Sequence, residues 1–342
     1  MLTILEHIPD ELLACEATDL HRVLPGPTLV HLTGRQREPV FVSVLLHGNE
    51  PTGFQAIQQL LQKYSQQTLP RALSIFFGNI SAAREGQRHL DGQPDYNRIW
   101  PHANSGGGSA ELSAERRMMR DIVAIMRDKQ VFASIDVHNN TGLNPHYGCI
   151  NRLDKNFLHL ATLFSRTVVY FIRPEGVQSM AFAELCPAIT VECGKPDQPH
   201  GVAHAMQFID TCLHLSHFPE HDVLPQDIDL FHTVATVSVP EQLSISFQQG
   251  SGDVCLLEDL DHLNFRELPT NTSLGRMRDG LAQPPLVVVD EQGKEVTERY
   301  FSFTQNHIQT NRPVMPSMFT LDVEVIRQDC LGYLMERMPL NP

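Results

Sequence analysis

Six apolar, strand-forming runs that alternate with helix-forming stretches constrain the fold of this chain most. The helix-type patterns include Thr52–Tyr64 and Pro199–His214. Strands that alternate with helices predict an α/β fold with a mixed, mostly parallel sheet and helices on both faces. The predicted strands are Pro39–Leu46, Ala72–Asn79, Phe132–Val137, Tyr147–Ile150, Thr167–Ile172 and Ala188–Glu192.

The pattern changes near residues 218–229, after which short β-type runs are separated by turn residues. We therefore predict two domains, a large α/β domain over residues 1–218 and a smaller, mostly β domain over residues 219–342. The β-type runs of the second domain are Phe231–Val239, Leu243–Phe247, Val254–Leu257, Leu286–Val289 and Met318–Val325. Residues 1–37 form an amphipathic stretch whose structure the sequence leaves open.

A long irregular segment, from Ile80 to Gly108, separates the second and third predicted strands. It ends in SGGG, and Ser109 is placed to cap a helix that runs to about Asp128. Loops of this length are uncommon inside a compact domain and are often functional. The segment is therefore a candidate source of binding residues.

Composition and charge exclude several classes of protein. The chain has 342 residues, of which 42% are hydrophobic and 19% charged, as in an ordinary soluble protein with a sizeable core. Its formal net charge of −14 argues against nucleic-acid binding, which favours a basic surface. A small acidic substrate is compatible with this charge, because a local positive pocket can lie inside an acidic protein.

The N-terminal sequence and the cysteines predict a cytoplasmic protein without a membrane attachment. MLTILEHIPDELL lacks the basic start of a signal peptide, and no apolar run approaches the roughly 18 residues that span a membrane. Seven cysteines are scattered without a CxxC pair, which favours reduced thiols over a disulfide framework. The oligomeric state stays open, and the sequence is compatible with a homo-oligomer.

The first predicted strand stops at the tetrapeptide HGNE, residues 47–50. Imidazole and carboxylate are both good zinc ligands, and open α/β sheets bind ligands at the C-terminal ends of their strands. Gly48 would let the backbone turn so that His47 and Glu50 face one point. The alternative is a hydrogen-bonded histidine followed by a glutamate that starts a helix.

Another predicted strand ends in DVHNNTG, residues 136–142. Asp136 and His138 are two apart and therefore share a face of an extended strand. The carboxylate of Asp136 could orient a metal-bound imidazole at His138. The alternative is a polar strand end in which Asn-Thr-Gly forms a turn.

A third strand is apolar until it reaches Glu192, in the sequence AITVECG. A carboxylate at the end of a buried strand is costly unless it is paired or used. Beside a metal, Glu192 would be a natural general base for a water molecule. The alternative is an acid that simply reaches solvent.

The long irregular segment contributes Arg88, Asn97 and Arg98. Arginine recognises carboxylates and stabilises developing oxyanion charge, so these residues could hold an acidic substrate. The alternative is an exposed loop with solvated charges. Taken together, the four segments supply two histidines and one glutamate, a ligand set of catalytic zinc sites, with an acid and two arginines in addition.

These motifs, in this order, resemble those of the succinylglutamate desuccinylase/aspartoacylase family, within the zinc carboxypeptidase superfamily. The resemblance rests on HGNE at 47–50, GN at 78–79, DYNR at 95–98, DVHNNTG at 136–142 and VECG at 191–194. It covers roughly residues 40–200. It implies a zinc carboxypeptidase-like fold for the first domain, followed by a small β-rich domain.

The resemblance also implies a role for each candidate residue. One zinc ion per chain would be bound by His47, Glu50 and His138. Glu192 would assist the attacking water. Asn97 and Arg98 would bind the substrate carboxylate, and Arg88 would polarise the scissile carbonyl.

Two departures from the family pattern stand out. Tyr96 occupies a position at which the family commonly has leucine, and the gap between Arg88 and Asn97 is slightly long. Family members also often place a tyrosine from the C-terminal region near the substrate. Tyr300 and Tyr333 are both available here, and the sequence does not choose between them.

The expected activity is zinc-dependent hydrolysis of the amide bond in a small acidic N-acyl amino acid, by metal-activated water. A metallocarboxypeptidase that acts on peptides is the nearest alternative, since a C-terminal peptide bond also places a carboxylate beside an amide. A non-catalytic metal-binding or metabolite-binding protein is a further alternative, against which Glu192 argues, because a binding protein needs no base. The acyl group and the amino acid stay open.

Overall fold

A mixed sheet of twelve strands forms the centre of the fold in the computed structural model, which describes residues 2–102, 113–248 and 252–340. We call it the main sheet. Its strand order is β1-β2-β4-β3-β5-β8-β6-β7-β9-β17-β16, with β13 paired to β9. The strands in the described part of the chain are β1 Thr3–Leu5, β2 Thr28–Leu32, β3 Gly34–Val44, β4 Leu69–Phe77, β5 Ala133–His138, β6 Tyr147–Ile150, β7 Thr167–Tyr170, β8 Ala188–Glu192, β9 Asp229–Ser238, β10 Ile245–Ser246, β11 Val254–Leu256, β12 Ser273–Met277, β13 Val287–Asp290, β14 Phe301–Thr304, β15 His307–Thr310, β16 Met315–Ser317 and β17 Gly332–Arg337.

The middle of the main sheet is parallel. Strands β4, β3, β5 and β8 run in the same direction, and the second half of β3 is buried at every residue. This burial is typical of a parallel strand that is covered on both faces. The predicted α/β fold with a mostly parallel sheet is therefore confirmed, and the strand predictions at 147–150 and 188–192 agree to the residue.

Helices cover both faces of the main sheet. Phe41 of β3 stacks on Phe182 at 4.4 Å, whereas Val44, three residues later and therefore on the opposite face, packs beside Gly53. These contacts place α5 and α1 on opposite faces. The helices are α1 Thr52–Lys63, α2 Ile80–Glu85, α3 Ala114–Asp128, α4 Lys155–Phe164, α5 Gln178–Phe182, α6 Pro199–His214, α7 Thr297–Tyr300 and α8 Val323–Gln328.

A second sheet, with strand order β10-β11-β12-β15-β14, lies entirely beyond residue 218. Its residues Leu256, Phe301 and Ile308 belong to a second hydrophobic cluster, which also includes Val237 and Leu334 of the neighbouring main-sheet strands. A smaller β-sheet domain therefore exists, as the sequence predicted. Strands β9, β13, β16 and β17 instead extend the main sheet. The division of the chain at residue 218 stays a prediction.

Two local predictions are wrong, and a third lies outside the described residues. The segment predicted to be irregular from Ile80 begins instead with a helix, Ile80–Glu85, which the Asn79 side chain caps by accepting a hydrogen bond from the Ala82 N–H group. The β-type run predicted at Met318–Val325 is wrong, because the Asp322 side chain accepts hydrogen bonds from the backbone N–H groups of Glu324 and Val325 and starts α8 there. The predicted cap Ser109 and the SGGG sequence lie outside the described residues. The helix that follows begins at Ala114, where the Ser113 side chain accepts a hydrogen bond from the Arg116 N–H group.

The N-terminal stretch, left open by the sequence, adds an edge to the main sheet. Strand β1 pairs in parallel with β2, and β2 pairs antiparallel with β4. Across the described residues, every helix is too short or too polar to cross a membrane.

Candidate metal centre and cleft

The parallel strands β3, β5 and β8 bring three sequence motifs to one edge of the main sheet. Ser43 pairs with Asp136, and His138 pairs with Glu192, so the ends of these neighbouring strands are aligned. His47 follows three residues after the end of β3. The fold therefore brings together residues that are about 90 and 140 positions apart in the chain.

Gly48 fits the turn after β3 because of close packing. A Cβ atom at this position would lie 2.2 Å from the Ala83 nitrogen and 2.3 Å from the Ala82 carbonyl carbon, both backbone atoms of α2. The left-handed backbone conformation occurs instead at Leu45, with φ of 56°. Glycine is thus required here for the approach of α2 rather than for the turn itself.

His47, Glu50 and His138 form a compact, buried cluster. Their potential ligand atoms lie within 4.8 Å of one another, and each residue is at most 7% exposed. The Glu50 carboxylate bridges the two imidazoles, with Oε1 at 2.8 Å from Nδ1 of His47 and Oε2 at 2.7 Å from Nδ1 of His138. The predicted metal-ligating residues therefore converge, and we call them the His-Glu-His cluster.

The outer nitrogen of each imidazole contacts a further carboxylate. Nε2 of His138 lies 2.7 Å from Oδ2 of Asp136, and Nε2 of His47 lies 3.1 Å from Oδ1 of Asp95. The hydroxyl group of Ser43 donates a hydrogen bond to the other oxygen of Asp136 at 2.7 Å. Carboxylates in these positions fix the orientation of metal-binding imidazoles.

The ionisable groups of the cluster affect one another because they are buried side by side. Although burial alone would raise it, the positive charges of His47 and His138 hold the pKa of the Glu50 carboxyl below its usual range. Burial lowers the pKa of His138, but the adjacent carboxylates of Asp136 and Glu50 raise it well above its usual value. With both imidazoles neutral, two histidines and one carboxylate could hold a divalent metal ion of the zinc type, so metal would bind in competition with protons.

Glu192 lies beside the cluster at the end of β8. It is 7% exposed, and its nearest described hydrogen-bond donor is the Asn140 side chain at 3.5 Å. Burial raises the pKa of the Glu192 carboxyl to about 7, although the charge of His138 partly opposes this. A carboxyl group with such a pKa can accept and release a proton near neutral pH.

Arg88, Asn97 and Arg98, the three candidates from the long irregular segment, each contact a different carboxylate of the chain. Arg88 donates to Oδ2 of Asp95 from both Nε and one terminal nitrogen, at 3.2 and 3.0 Å. Arg98 pairs with Asp329 at 3.0 Å. Both arginines line the cleft in front of the cluster.

Asn97 contacts both His138 and the Asp136 carboxylate behind it, and it also lines the cleft. Its Nδ2 atom lies 3.2 Å from Oδ2 of Asp136 and 3.1 Å from Nε2 of His138, and its Oδ1 atom accepts a hydrogen bond from the Gln178 N–H group at 2.9 Å. These contacts hold the amide group in one orientation. The predicted contact of Asn97 with substrate stays a prediction.

The cleft in front of the cluster encloses about 710 Å³, including open solvent at its mouth. Its lining combines apolar side chains, including Val169, Phe171 and Val177, with the carboxylate of Glu192 and with arginines. The segment beyond residue 218 contributes Tyr333 to the lining. Tyr300 is buried in the hydrophobic cluster of the second sheet, so Tyr333 is the better match to the expected C-terminal tyrosine.

Three residues near the cluster were not singled out from the sequence. Asp95, which contacts His47, lies within the DYNR motif and could have been found by that position. Asp329 lies in a region without a recognisable motif, and Arg173 follows a strand that ends without polar residues. Only the three-dimensional arrangement brings Asp329 and Arg173 to the cleft.

Comparison with known proteins agrees with this arrangement. The family model for the succinylglutamate desuccinylase/aspartoacylase catalytic domain matches residues 37–216, just over half of the chain. The succinylglutamate desuccinylase of Pseudomonas aeruginosa is 29% identical over 132 residues, which cover 37% of this chain and 39% of that protein. The matched region thus spans about two-fifths of the curated relative.

Solved structures show the same fold over more of the chain. The succinylglutamate desuccinylase of Chromobacterium violaceum has a TM-score of 0.54 at 15% identity, covering 90% of this chain and 87% of that chain. Murine aminoacylase 3 has a TM-score of 0.57 at 14% identity, covering 90% of this chain and 97% of that chain. On the match to its catalytic domain, the chain belongs to the succinylglutamate desuccinylase/aspartoacylase family.

Proposed function

We propose that this protein is a zinc-dependent hydrolase that cleaves the amide bond of a small, acidic N-acyl amino acid. The observation that carries the proposal is the buried His-Glu-His cluster, which opens onto a cleft that is also lined by Glu192, Arg88 and Arg98. Family membership supports a deacylase that acts on a carbon–nitrogen bond outside peptides. The acyl group and the amino acid are not part of the proposal.

In this proposal His47, Glu50 and His138 hold the zinc ion. When bound, zinc supplies Lewis-acid activation of water and of the substrate carbonyl group. Asp136 and Asp95 keep the two imidazoles oriented toward the centre of the cluster, since each carboxylate lies on the outer nitrogen of one ring.

Glu192 moves the proton in the proposed reaction. Its carboxylate would accept a proton from the attacking water and deliver it to the amine that leaves. The buried position favours this role, because a pKa of about 7 allows both uptake and release near neutral pH. The Asn140 amide, which donates toward Oε2, would hold the carboxylate in place.

The arginines bind and orient the substrate. Arg88 would donate a hydrogen bond to the carbonyl oxygen as negative charge develops there. Arg98, with Asn97 beside it, would bind the substrate carboxylate and so fix which bond lies over the cluster. An N-acyl amino acid has the required carboxylate next to an amide.

A small substrate is favoured over a peptide by the residues that the C-terminal region adds to the cleft. Residues from beyond position 218, including Ser317, Met318 and Tyr333, contribute to its lining. A metallocarboxypeptidase would need an open groove for the rest of the peptide chain. The cytoplasmic location, the absence of nucleic-acid and membrane partners, and a homo-oligomeric state stay predictions.

A substrate panel tests the proposal. Protein purified without chelator would be assayed with N-acyl amino acids and with short peptides, before and after chelation and with zinc added back. We expect hydrolysis of N-acyl amino acids that chelation abolishes and zinc restores. Preferential release of C-terminal residues from peptides would support the carboxypeptidase instead. Turnover that survives complete removal of metal would contradict the proposed mechanism.

A further inference from the structure

Asp329, the residue that follows α8, lies against both arginines of the cleft. A terminal nitrogen of Arg98 lies 3.0 Å from each of its carboxylate oxygens, and a terminal nitrogen of Arg88 lies 3.4 Å from Oδ2. Asp329 comes 231 positions after Arg98 in the chain. An acidic side chain of the protein therefore occupies the place where a substrate carboxylate is expected.

We propose that Asp329 is a specificity-determining residue, an internal carboxylate that the substrate's own carboxylate must displace from Arg98. The proposal rests on the proposed function for the role of Arg98. It adds a residue from the smaller β-rich part of the chain to substrate selection. The affinity for the substrate then depends on how much better Arg98 binds the substrate carboxylate than it binds the carboxylate of Asp329.

The charge balance of the cleft supports such an exchange. Three arginines line the cleft among the described residues, and each contacts a carboxylate of the chain. Arg88 pairs with Asp95 and Arg98 pairs with Asp329, both at 3.0 Å. Arg173 pairs with Glu175 at 3.3 Å. A substrate carboxylate therefore binds Arg98 by replacing an existing partner, because the guanidinium charge is already compensated.

The geometry of the Arg98–Asp329 pair makes replacement feasible. A single terminal nitrogen of Arg98 donates to both oxygens, whereas the strongest arginine–carboxylate pairs use two nitrogens in parallel. The side chains of Arg98 and Asp329 are 26% and 27% exposed, and partly exposed ion pairs contribute modestly. A substrate carboxylate that reaches the two-nitrogen geometry would form the better pair.

The position of Asp329 gives the exchange a direct effect on selectivity. A substrate carboxylate can form an ion pair with Arg98 only after Asp329 has been displaced. A neutral analogue forms no ion pair with Arg98, so it gains less than the charged substrate when Asp329 no longer competes for the guanidinium group. Replacement of Asp329 by asparagine should therefore increase the preference for the charged substrate.

Kinetics of Asp329→Asn test the inference. The two substrates are the N-acyl amino acid that the wild type hydrolyses fastest and its carboxamide analogue, which lacks the charge. The ratio of their kcat/KM values should rise roughly two- to fivefold, the range for loss of a partly exposed ion pair, and the change should lie in KM. An unchanged or lower ratio would mean that Asp329 holds the C-terminal segment in place without competing with substrate.

Asp322→Asn is a matched control on the same segment. Asp322 is exposed and caps α8, and asparagine is an equally good cap, so this variant loses one negative charge without touching an arginine. Its ratio should equal that of the wild type. Asp329→Ala, checked for folding by circular dichroism, would replace Asp329→Asn if the latter is misfolded.

A binding measurement separates this inference from the proposed function. Succinate, used as a dicarboxylate probe, would be titrated calorimetrically into the wild type and Asp329→Asn. We expect a dissociation constant roughly two- to fivefold lower for the variant. Equal or weaker binding would overturn the role of Asp329 even if the enzyme is active. Absence of turnover in the wild type, with tighter succinate binding by the variant, would overturn the proposed function alone.

Discussion

The Nε2 atom of His47 lies 3.1 Å from the Oδ1 atom of Asp95. The other oxygen of Asp95 accepts two hydrogen bonds from Arg88. One carboxylate thus connects a proposed metal ligand to the proposed oxyanion-binding arginine. Asp136 has the corresponding position at His138, but it is held by Ser43 and Asn97 instead of an arginine.

This pair of carboxylates leads to a first prediction. Asp136→Asn and Asp95→Asn should each weaken zinc binding by roughly 10- to 100-fold, because each replaces the charged carboxylate that orients one imidazole with a neutral amide, which is a weaker acceptor. Competition with a chromophoric chelator measures the affinity. Ser43→Ala, which removes only a donor to Asp136, should have a smaller effect. Unchanged affinity in both aspartate variants would show that the imidazoles are oriented by other contacts.

Glu192→Gln is expected to remove catalysis and to keep the metal. Glutamine has nearly the same shape but cannot accept the proton, so kcat should fall by roughly 10²- to 10⁴-fold. Zinc content should equal that of the wild type, as measured by metal analysis of the same preparation. Glu184→Gln, at an exposed position, is the matched control and should retain wild-type turnover. A Glu192→Gln enzyme with near-normal kcat would require a different base.

Gly48→Ala should destabilise the protein. The added Cβ would lie 2.2 Å from the backbone of α2, so the segment carrying His47 and Glu50 would have to move. A loss of roughly 1–3 kcal/mol in the free energy of unfolding is expected from such overpacking, measured by urea denaturation. Gly26→Ala is the control, since a Cβ there would meet no atom within 4 Å and should change stability little. Equal stabilities of the two variants would contradict the packing argument.

A pH-dependent contribution to stability is expected from Asp210 on α6. Its carboxylate accepts hydrogen bonds of 2.6 Å from Lys63 and from Tyr64. Burial opposes the effect, but these bonds lower the pKa of Asp210. A lowered carboxyl pKa stabilises the fold above the ordinary value of about 4, and the contribution is lost as pH falls through the folded-state pKa.

Asp210→Asn should therefore lower the free energy of unfolding by about 1 kcal/mol at pH 7 and by less near pH 3. Urea unfolding of the wild type and the variant at both pH values gives the two differences. A difference that is the same at both pH values would mean that the carboxylate charge is not involved.

The sequence was most informative at the strand ends. An apolar strand that stops at a histidine or a glutamate can be recognised without a structure, and parallel strands place their C-terminal ends at one edge of a sheet. The positions of His47, His138 and Glu192 followed from this rule. The sequence was less informative about why Gly48 is needed, because the approach of α2 depends on tertiary packing.

The C-terminal contribution to the cleft could not have been predicted in the same way. Asp329 and Tyr333 flank the start of β17, and they reach the cleft only because β17 pairs with β9 at the far side of the main sheet. Short β-type runs carry no signal for such long-range pairing. The run at 318–325 was even assigned to the wrong structure, since a local cap at Asp322 outweighed its β-forming residues.

Zinc content per chain tests the central claim most directly. Wild-type protein purified without chelator should contain about one zinc ion per chain, and His47→Ala should contain almost none while retaining a wild-type circular dichroism spectrum. Hydrolysis of N-acyl amino acids should be lost with the metal. Fully active wild-type protein without stoichiometric metal, or an active His47→Ala protein, would contradict the account.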